Sequence, residues 1–211
     1  MINFSGYSSI LWDFDGVLMD SMPTRDLGFE KVLSSYPRHE LEQLLTFHRA
    51  NGGLSRYVKF RYFFEQIRKE SITDEKVLEL ATEFSAVMRR ELLNEKLLIQ
   101  DSIEFVRKYH NKFRMHIVSG SDGNELRYLC EALGLSPYFI SIHGSPTPKK
   151  ELVGKLLEEY GLDPRDAVFI GDSTNDYDAA HLHKIDFVAY NNPLLKGYGI
   201  GYVDAFEKIK I

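Results

Sequence analysis

The sequence predicts an α/β fold, a doubly wound parallel sheet interrupted after its first strand by an inserted helical domain. Three observations predict it. Short apolar runs end abruptly in polar or glycine-containing turns, helical patterns lie between most of these runs, and the stretch from about residue 22 to 97 is helical almost throughout. Brief runs rich in β-branched and aromatic residues fit strands buried on both faces. Strands that alternate with helices favour a parallel sheet.

Taken in order, Ser9-Ile10-Leu11-Trp12 is the first strand, and it runs into Asp13-Phe14-Asp15-Gly16. The helical insertion follows and offers no convincing strand; Asn51-Gly52-Gly53 breaks it in two. A helix over Asp101–Lys112 carries Ile103, Phe105, Val106 and Tyr109. Met115–Val118 is the next strand and enters Ser119-Gly120-Ser121-Asp122-Gly123; a helix over Asn124–Leu133 comes after it. Tyr138–Ile142 runs into His143-Gly144-Ser145-Pro146. The helix over Lys149–Tyr160 sets Leu152, Val153, Leu156 and Leu157 on one face and closes at Gly161 as a C-cap. Ala167–Ile170 enters Gly171-Asp172-Ser173, and Phe187–Tyr190 enters Asn191-Asn192-Pro193. The expected division is a core of residues 1–21 and 98–211, with residues 22–97 inserted.

Bulk properties narrow the function. A formal charge of −5 gives the surface no general attraction for nucleic acid. The single cysteine, Cys130, has no partner for a disulfide or a thiolate zinc site, which suits a reducing compartment. The N-terminal residues lack a signal-peptide pattern, and no run approaches the ~20 apolar residues of a membrane helix. A cytoplasmic protein with neither nucleic acid nor membrane as partner is expected.

The polar residues collect just after the apolar runs, and in an open α/β sheet the strand ends line one crevice. Asp13 and Asp15 are two apart, so an extended backbone points both to one side. One such carboxylate can attack phosphorus while the other moves a proton; alone, the pair also reads as a solvated acidic turn. Asp172 and Asp13 are hard oxygen ligands of the kind Mg²⁺ takes, with Asp176 one helical turn on; alone, Asp172-Ser173 also reads as a helix cap. Ser119 with the Gly120 backbone could cradle phosphate, or cap a helix. Lys149 or Lys150 could neutralise phosphoryl oxygens, or lie on the surface.

The ordered set is more specific than its parts. It resembles the haloacid-dehalogenase superfamily, with Asp13/Asp15 after the first strand, Ser119 after the second, Lys149 further on and Gly171-Asp172-x₃-Asp176 last. The insertion resembles the helical cap of the subgroup that includes phosphoglycolate phosphatases and β-phosphoglucomutases. The resemblance implies a Rossmann-like core and a Mg²⁺-dependent phosphatase that works through an aspartyl-phosphate on a small phosphorylated metabolite. It implies Asp13 as nucleophile and metal ligand. Asp15 would be general acid/base and would lend its backbone carbonyl to the metal. Ser119, Gly120 and Lys149 would hold phosphate, Asp172 would be the second carboxylate ligand, and Asp176 a supporting one. Many relatives place the lysine where this chain has Ser145; here the lysines follow Pro146-Thr147-Pro148, and Lys149 is preferred to Lys150.

Asp15 argues against dehalogenase or phosphonatase chemistry, whose members lack that acid. Gly53-Leu54-Ser55-Arg56 resembles the cap loop of β-phosphoglucomutase, where the arginine grips a second phosphate; the same residues also read as a solvated helix–helix turn. Arg56, delivered by the Gly53 turn, is therefore the expected cap specificity residue. Arg25 stands where the mutases carry a histidine, which favours hydrolysis over the mutase alternative. A non-catalytic binding protein on this fold is the other alternative, but such chains usually lose a carboxylate that this one keeps.

Overall fold

The computed structural model describes residues 2–211. Six strands form one parallel sheet: β1 (Ser9–Trp12), β2 (Arg114–Asp122), β3 (Ser141–Ser145), β4 (Ala167–Gly171), β5 (Asp186–Tyr190) and β6 (Gly201–Val203), in the spatial order β3-β2-β1-β4-β5-β6. The chain lays β2 and β3 to one side of β1, then returns to lay β4, β5 and β6 on the other. That reversal sets the carboxyl ends of β1, β2 and β4 side by side at a topological switch point, where α/β sheets bind ligands.

Both faces of the sheet are buried, which explains the continuous apolar runs. Ile10, Trp12, Ile117, Val168 and Ile170 belong to one core. Leu11, Val118 and Phe169 face the other, together with Leu152, Val153 and Leu156 of α7 (Lys149–Tyr160) and Ala179 and Ala180 of α8 (Thr174–Leu182). Helix α7 has the bounds read from its pattern, and Gly161 ends it with φ +58°, in the left-handed region.

The insertion has no strand. It comprises α1 (Met22–Val32), α2 (Arg38–Ala50), α3 (Arg56–Tyr62), a π-helical continuation over Phe63–Arg68, and α4 (Asp74–Glu91). Phe29, Phe60 and Phe84 pack edge-on and tilted in its interior. Two core helices differ slightly from expectation, α5 spanning Gln100–Tyr109 and α6 spanning Gly123–Ala132. β2 runs past Val118 to Asp122 through an irregularity in its pairing with β3, and β3 begins only at Ser141 because Ser136–Tyr138 is a 3₁₀ turn. β6 has too few apolar residues to show in a pattern.

Candidate active site

The crevice is built first by Gly16. Its φ is +78°, and a Cβ there would overlap Oδ2 of Asp172. Only glycine turns the chain out of β1 and lets the β4 acid come this close. Asp13 continues the strand, its N–H donating to the Ile170 carbonyl at 3.0 Å. Lys149, the first residue of α7, reaches back into the crevice. Its Nζ lies 2.9 Å from Oδ1 of Asp13 and also pairs with Oδ1 of Asp176. The other oxygen of Asp176 accepts from Ser173 N (3.0 Å), Ser173 Oγ (2.7 Å) and Asp172 N (3.2 Å). Asp176 thus ties the turn after β4 to Lys149. Lys150 lies outside, 3.2 Å from the exposed Asp178.

Asp13, Asp172 and Asp176 each offer a carboxylate oxygen within 4.8 Å of the others. Three acids face one ammonium. Burial, then the charge of Asp176, push the Asp13 carboxyl up to about 7 despite Lys149. Burial and Asp13 hold Asp172 well above the usual carboxylate range. Burial alone would lower Lys149, but Asp13 and Asp176 outweigh it and raise its pKa. Crowded oxygen donors with excess negative charge suit a hard divalent cation, which would stabilise both acids as carboxylates. Asp172 is the freest of the three, since its side chain accepts no hydrogen bond among the described residues.

Asp15 faces a different set of partners. Its oxygens accept from the hydroxyls of Ser21 and Ser121 and from Nε of Arg25, the last at 2.7 Å. Burial would raise its pKa, but Arg25 and these hydrogen bonds more than offset that and hold it to about 2.

Ser119 is buried inside β2, its Oγ accepting from Ser121 N at 3.1 Å. The capping role falls to Asp122, whose Oδ1 accepts from Asn124 N and Glu125 N at 3.1 and 3.0 Å. Gly120 and Gly53 mark where the helical stretch packs against the carboxyl end of the sheet. A Cβ on Gly120 would overlap the Gly53 carbonyl, and one on Gly53 would come within 2.6 Å of Ser173 Oγ.

Arg56 opens α3 and is buried in a fork on Glu125, its Nη1 and Nη2 donating at 2.7 and 2.8 Å. It also donates to Ser85 at 2.7 Å and lies over the Phe84 ring at 4.5 Å. Glu125, fully buried on α6, accepts from Arg25 Nη1 as well, at 3.2 Å. The arginine singled out by the loop motif therefore engages a carboxylate of the chain itself.

Sequence reasoning missed Ser21, Ser121, His48 and Glu125, and the contact of Arg25 with Asp15. Ser121 had a signal, since it is two residues after Ser119 on an extended segment. Glu125 was hidden by its spacing, because Asp122-x-x-Glu125 reads as an ordinary capping box.

The comparisons agree with this geometry. Residues 7–183 match the haloacid dehalogenase-like hydrolase family model. A phosphoglycolate phosphatase of Mannheimia succiniciproducens is 26% identical over 191 residues, covering 84% of this chain and 82% of that protein. A phosphorylated carbohydrates phosphatase of Thermotoga maritima is 25% identical over 178 residues, covering 82% and 79%. Among solved structures, β-phosphoglucomutase from Clostridium difficile superposes with a TM-score of 0.76 at 17% identity, covering 97% of this chain and 94% of the other. CbbY from Rhodobacter sphaeroides, solved with xylulose-(1,5)bisphosphate, gives 0.77 at 16% identity over 96% of each chain. With its parallel sheet, its strand-end acids and a family match over most of its length, the chain belongs to the haloacid dehalogenase-like hydrolases, as an enzyme of their phosphatase type.

Proposed function

We propose that this enzyme hydrolyses a phosphomonoester of a small metabolite, with Asp13 as nucleophile and Mg²⁺ as cofactor. The observation that carries the reading is the cluster of Asp13, Lys149, Asp172 and Asp176 at adjacent strand ends. An oxygen of Asp13 bonds to phosphorus as the ester P–O bond breaks, and the leaving oxygen takes a proton from Asp15. Water then attacks phosphorus and gives its proton to Asp15, the bond to Asp13 breaks, and inorganic phosphate leaves. Asp13 and Asp172, with the Asp15 main-chain carbonyl, would hold the metal, and Asp176 supports them. Bound there, Mg²⁺ would draw charge from the phosphoryl oxygens. Lys149, Ser119 and the Gly120 backbone would hold the phosphoryl group.

In this reading residues 22–97 form a cap that moves on the core of residues 1–21 and 98–211. The cavity between Asp15, Arg25 and Lys59 measures about 20 Å³, room for a water-sized guest and not for a metabolite, while one of about 250 Å³ lies between the Gly53-Leu54-Ser55 loop and Lys149. A metabolite whose leaving group lies beside Asp15 would therefore open the cap. Opening also draws Arg25 off Asp15, which lets Asp15 take up the proton that the first half-reaction needs. No helix among the described residues is long and apolar enough to cross a membrane, and we infer a cytoplasmic enzyme. The test is phosphate release from a panel of phosphorylated metabolites and p-nitrophenyl phosphate. Release with Mg²⁺, lost in EDTA and in Asp13→Asn, is expected. No release from any ester would overturn the reading.

A further inference from the structure

The cleft of about 250 Å³ lies between the Gly53-Leu54-Ser55 loop and the turn from β3 into α7. Its walls carry two lysines, Lys149 and Lys150, and no carboxylate. The start of α7, a helix of twelve residues, borders it. Pro148 stands at the N-cap and offers no side-chain acceptor, and the N–H groups of Lys149 and Lys150 donate to nothing among the described residues. Ser145 borders the same cleft. It is 3% exposed, and its Oγ has no hydrogen-bond partner among the described residues.

Buried hydroxyls ordinarily find partners, and free N–H groups at a helix start, with the positive end of its dipole, favour an oxyanion. The two lysine side chains do not meet this need themselves. The ammonium of Lys149 is held by Asp13 and Asp176, and that of Lys150 by the exposed Asp178 at 3.2 Å. What remains free is a hydroxyl and two main-chain donors, a set that asks for acceptors. A tetrahedral oxyanion carries several acceptors in a compact body, and the cleft holds several times the ~30 Å³ of a water molecule. Gly120 and Lys149 border this cleft and also belong to the Asp13 crevice, while the Gly53 carbonyl rests against Gly120 between the loop and the sheet.

Resting on the phosphatase reading, we propose that the cleft is a second oxyanion site, formed by Ser145 Oγ and the N–H groups of Lys149 and Lys150, through which inorganic phosphate leaves while the helical stretch stays closed. Phosphate freed from Asp13 passes along the first turn of α7, exchanging the ammonium of Lys149 for main-chain donors of the same turn. No bond is made or broken in this move. The alcohol, which departs before water attacks, takes no part in it. Ser145 is thus a product-binding residue, outside the group that performs the chemistry.

Inorganic phosphate is the probe. Equilibrium dialysis of the Mg²⁺-loaded enzyme against radiolabelled phosphate should give two phosphates per chain. Ser145→Ala should raise the dissociation constant of one of them at least about tenfold, the scale of losing a hydrogen bond to a charged group, and leave the other unchanged. Lys150→Gln, at an exposed position, should weaken the same one about threefold at low salt and less at high salt. p-Nitrophenyl phosphate added to the dialysis should displace only the phosphate that Ser145→Ala leaves unchanged; displacement of both would give the cleft to esters and overturn the exit. During turnover of that ester, added phosphate should lower kcat as well as raise the apparent KM, because a filled cleft blocks departure, and Ser145→Ala should weaken the effect on kcat at least about tenfold. One phosphate per chain, two that Ser145→Ala does not alter, or inhibition on KM alone overturns the proposal. An enzyme that releases phosphate from no ester fails the phosphatase reading, and the dialysis still decides the second site.

Discussion

Glu125→Gln removes one negative charge from beneath the cap and leaves the side-chain shape. In the native chain this carboxylate takes both arms of Arg56, at 2.7 and 2.8 Å, and Nη1 of Arg25 at 3.2 Å, with no exposure to water. Breaking a buried pair costs about 3–5 kcal/mol, because the surviving charge stays desolvated. Gln keeps one acceptor, and the cap can shift to wet the guanidiniums, so the lower end, about 3 kcal/mol, is the expected loss. At about 2–4 °C per kcal/mol for a chain of this size, the thermal midpoint should fall by about 6–12 °C. The assay is thermal unfolding of wild type, Glu125→Gln, Arg56→Met and the double variant. The double variant should be more stable than the sum of the single losses predicts, with a coupling of at least about 1.5 kcal/mol. A midpoint within about 1 °C of wild type for Glu125→Gln, or additive losses, would refute the view that this ion pair holds the cap closed.

Asp13→Asn should lower turnover at least about a thousandfold with the fold intact by circular dichroism, since the attacking oxygen is lost; a tenth of wild-type activity would exclude Asp13 as nucleophile. EDTA should abolish phosphate release, Mg²⁺ should restore it, and Ca²⁺ should restore it poorly because its looser shell does not hold in-line geometry; full activity in EDTA would remove the metal from the reaction. Gly120→Ala sets a methyl against the Gly53 carbonyl, so the cap cannot seat and kcat/KM should fall about tenfold or more on every ester; Gly197→Ala, in open space, is the matched control, and equal activities would show that closure is not needed. Burial first, then Arg25, lower Lys59 from 10.5 to about 7. Between those values the unfolded chain binds more protons than the folded one, so stability contributed here rises with pH from about 7 to 10.5, and the full cost of the buried charge is present below about 7. Lys59→Met should therefore raise the thermal midpoint more at pH 6 than at pH 9, and an equal shift at both would mean that the Lys59 pKa is not depressed and that it stays charged in the folded state across this range.

Much of this protein follows from local pattern. The apolar runs around Ile10, Ile117, Phe169 and Val188 predict strands because a parallel strand covered on both faces must be apolar at every position. Lys149–Tyr160 is bounded correctly because its start and stop signals, Pro148 and Gly161, act within one turn. Asp13 and Asp172 come together for a topological reason, since strand ends in a doubly wound sheet meet at the switch point. Periodicity falls short at β6, three residues long, and at β2, where the strand passes through an irregularity after Val118 and regains its pairing with β3 at Asp122 and Ser145, which no preference of Ser or Gly encodes.

The sequence by itself determined the sheet, the helical insertion and the order of strand-end acids, because each depends on neighbours a few residues apart. Only the tertiary structure decided which charges meet. Arg56 meets Glu125 across 69 residues, Arg25 meets the same carboxylate across 100, and Ser121 meets Asp15 across 106. No local propensity encodes such pairs. They are chosen when the inserted helices close on the sheet and water leaves, so that every buried charge must take whatever partner lies within reach. That desolvation uses up Arg56 and, among the described residues, leaves Lys59 with the Gly52 carbonyl and no carboxylate.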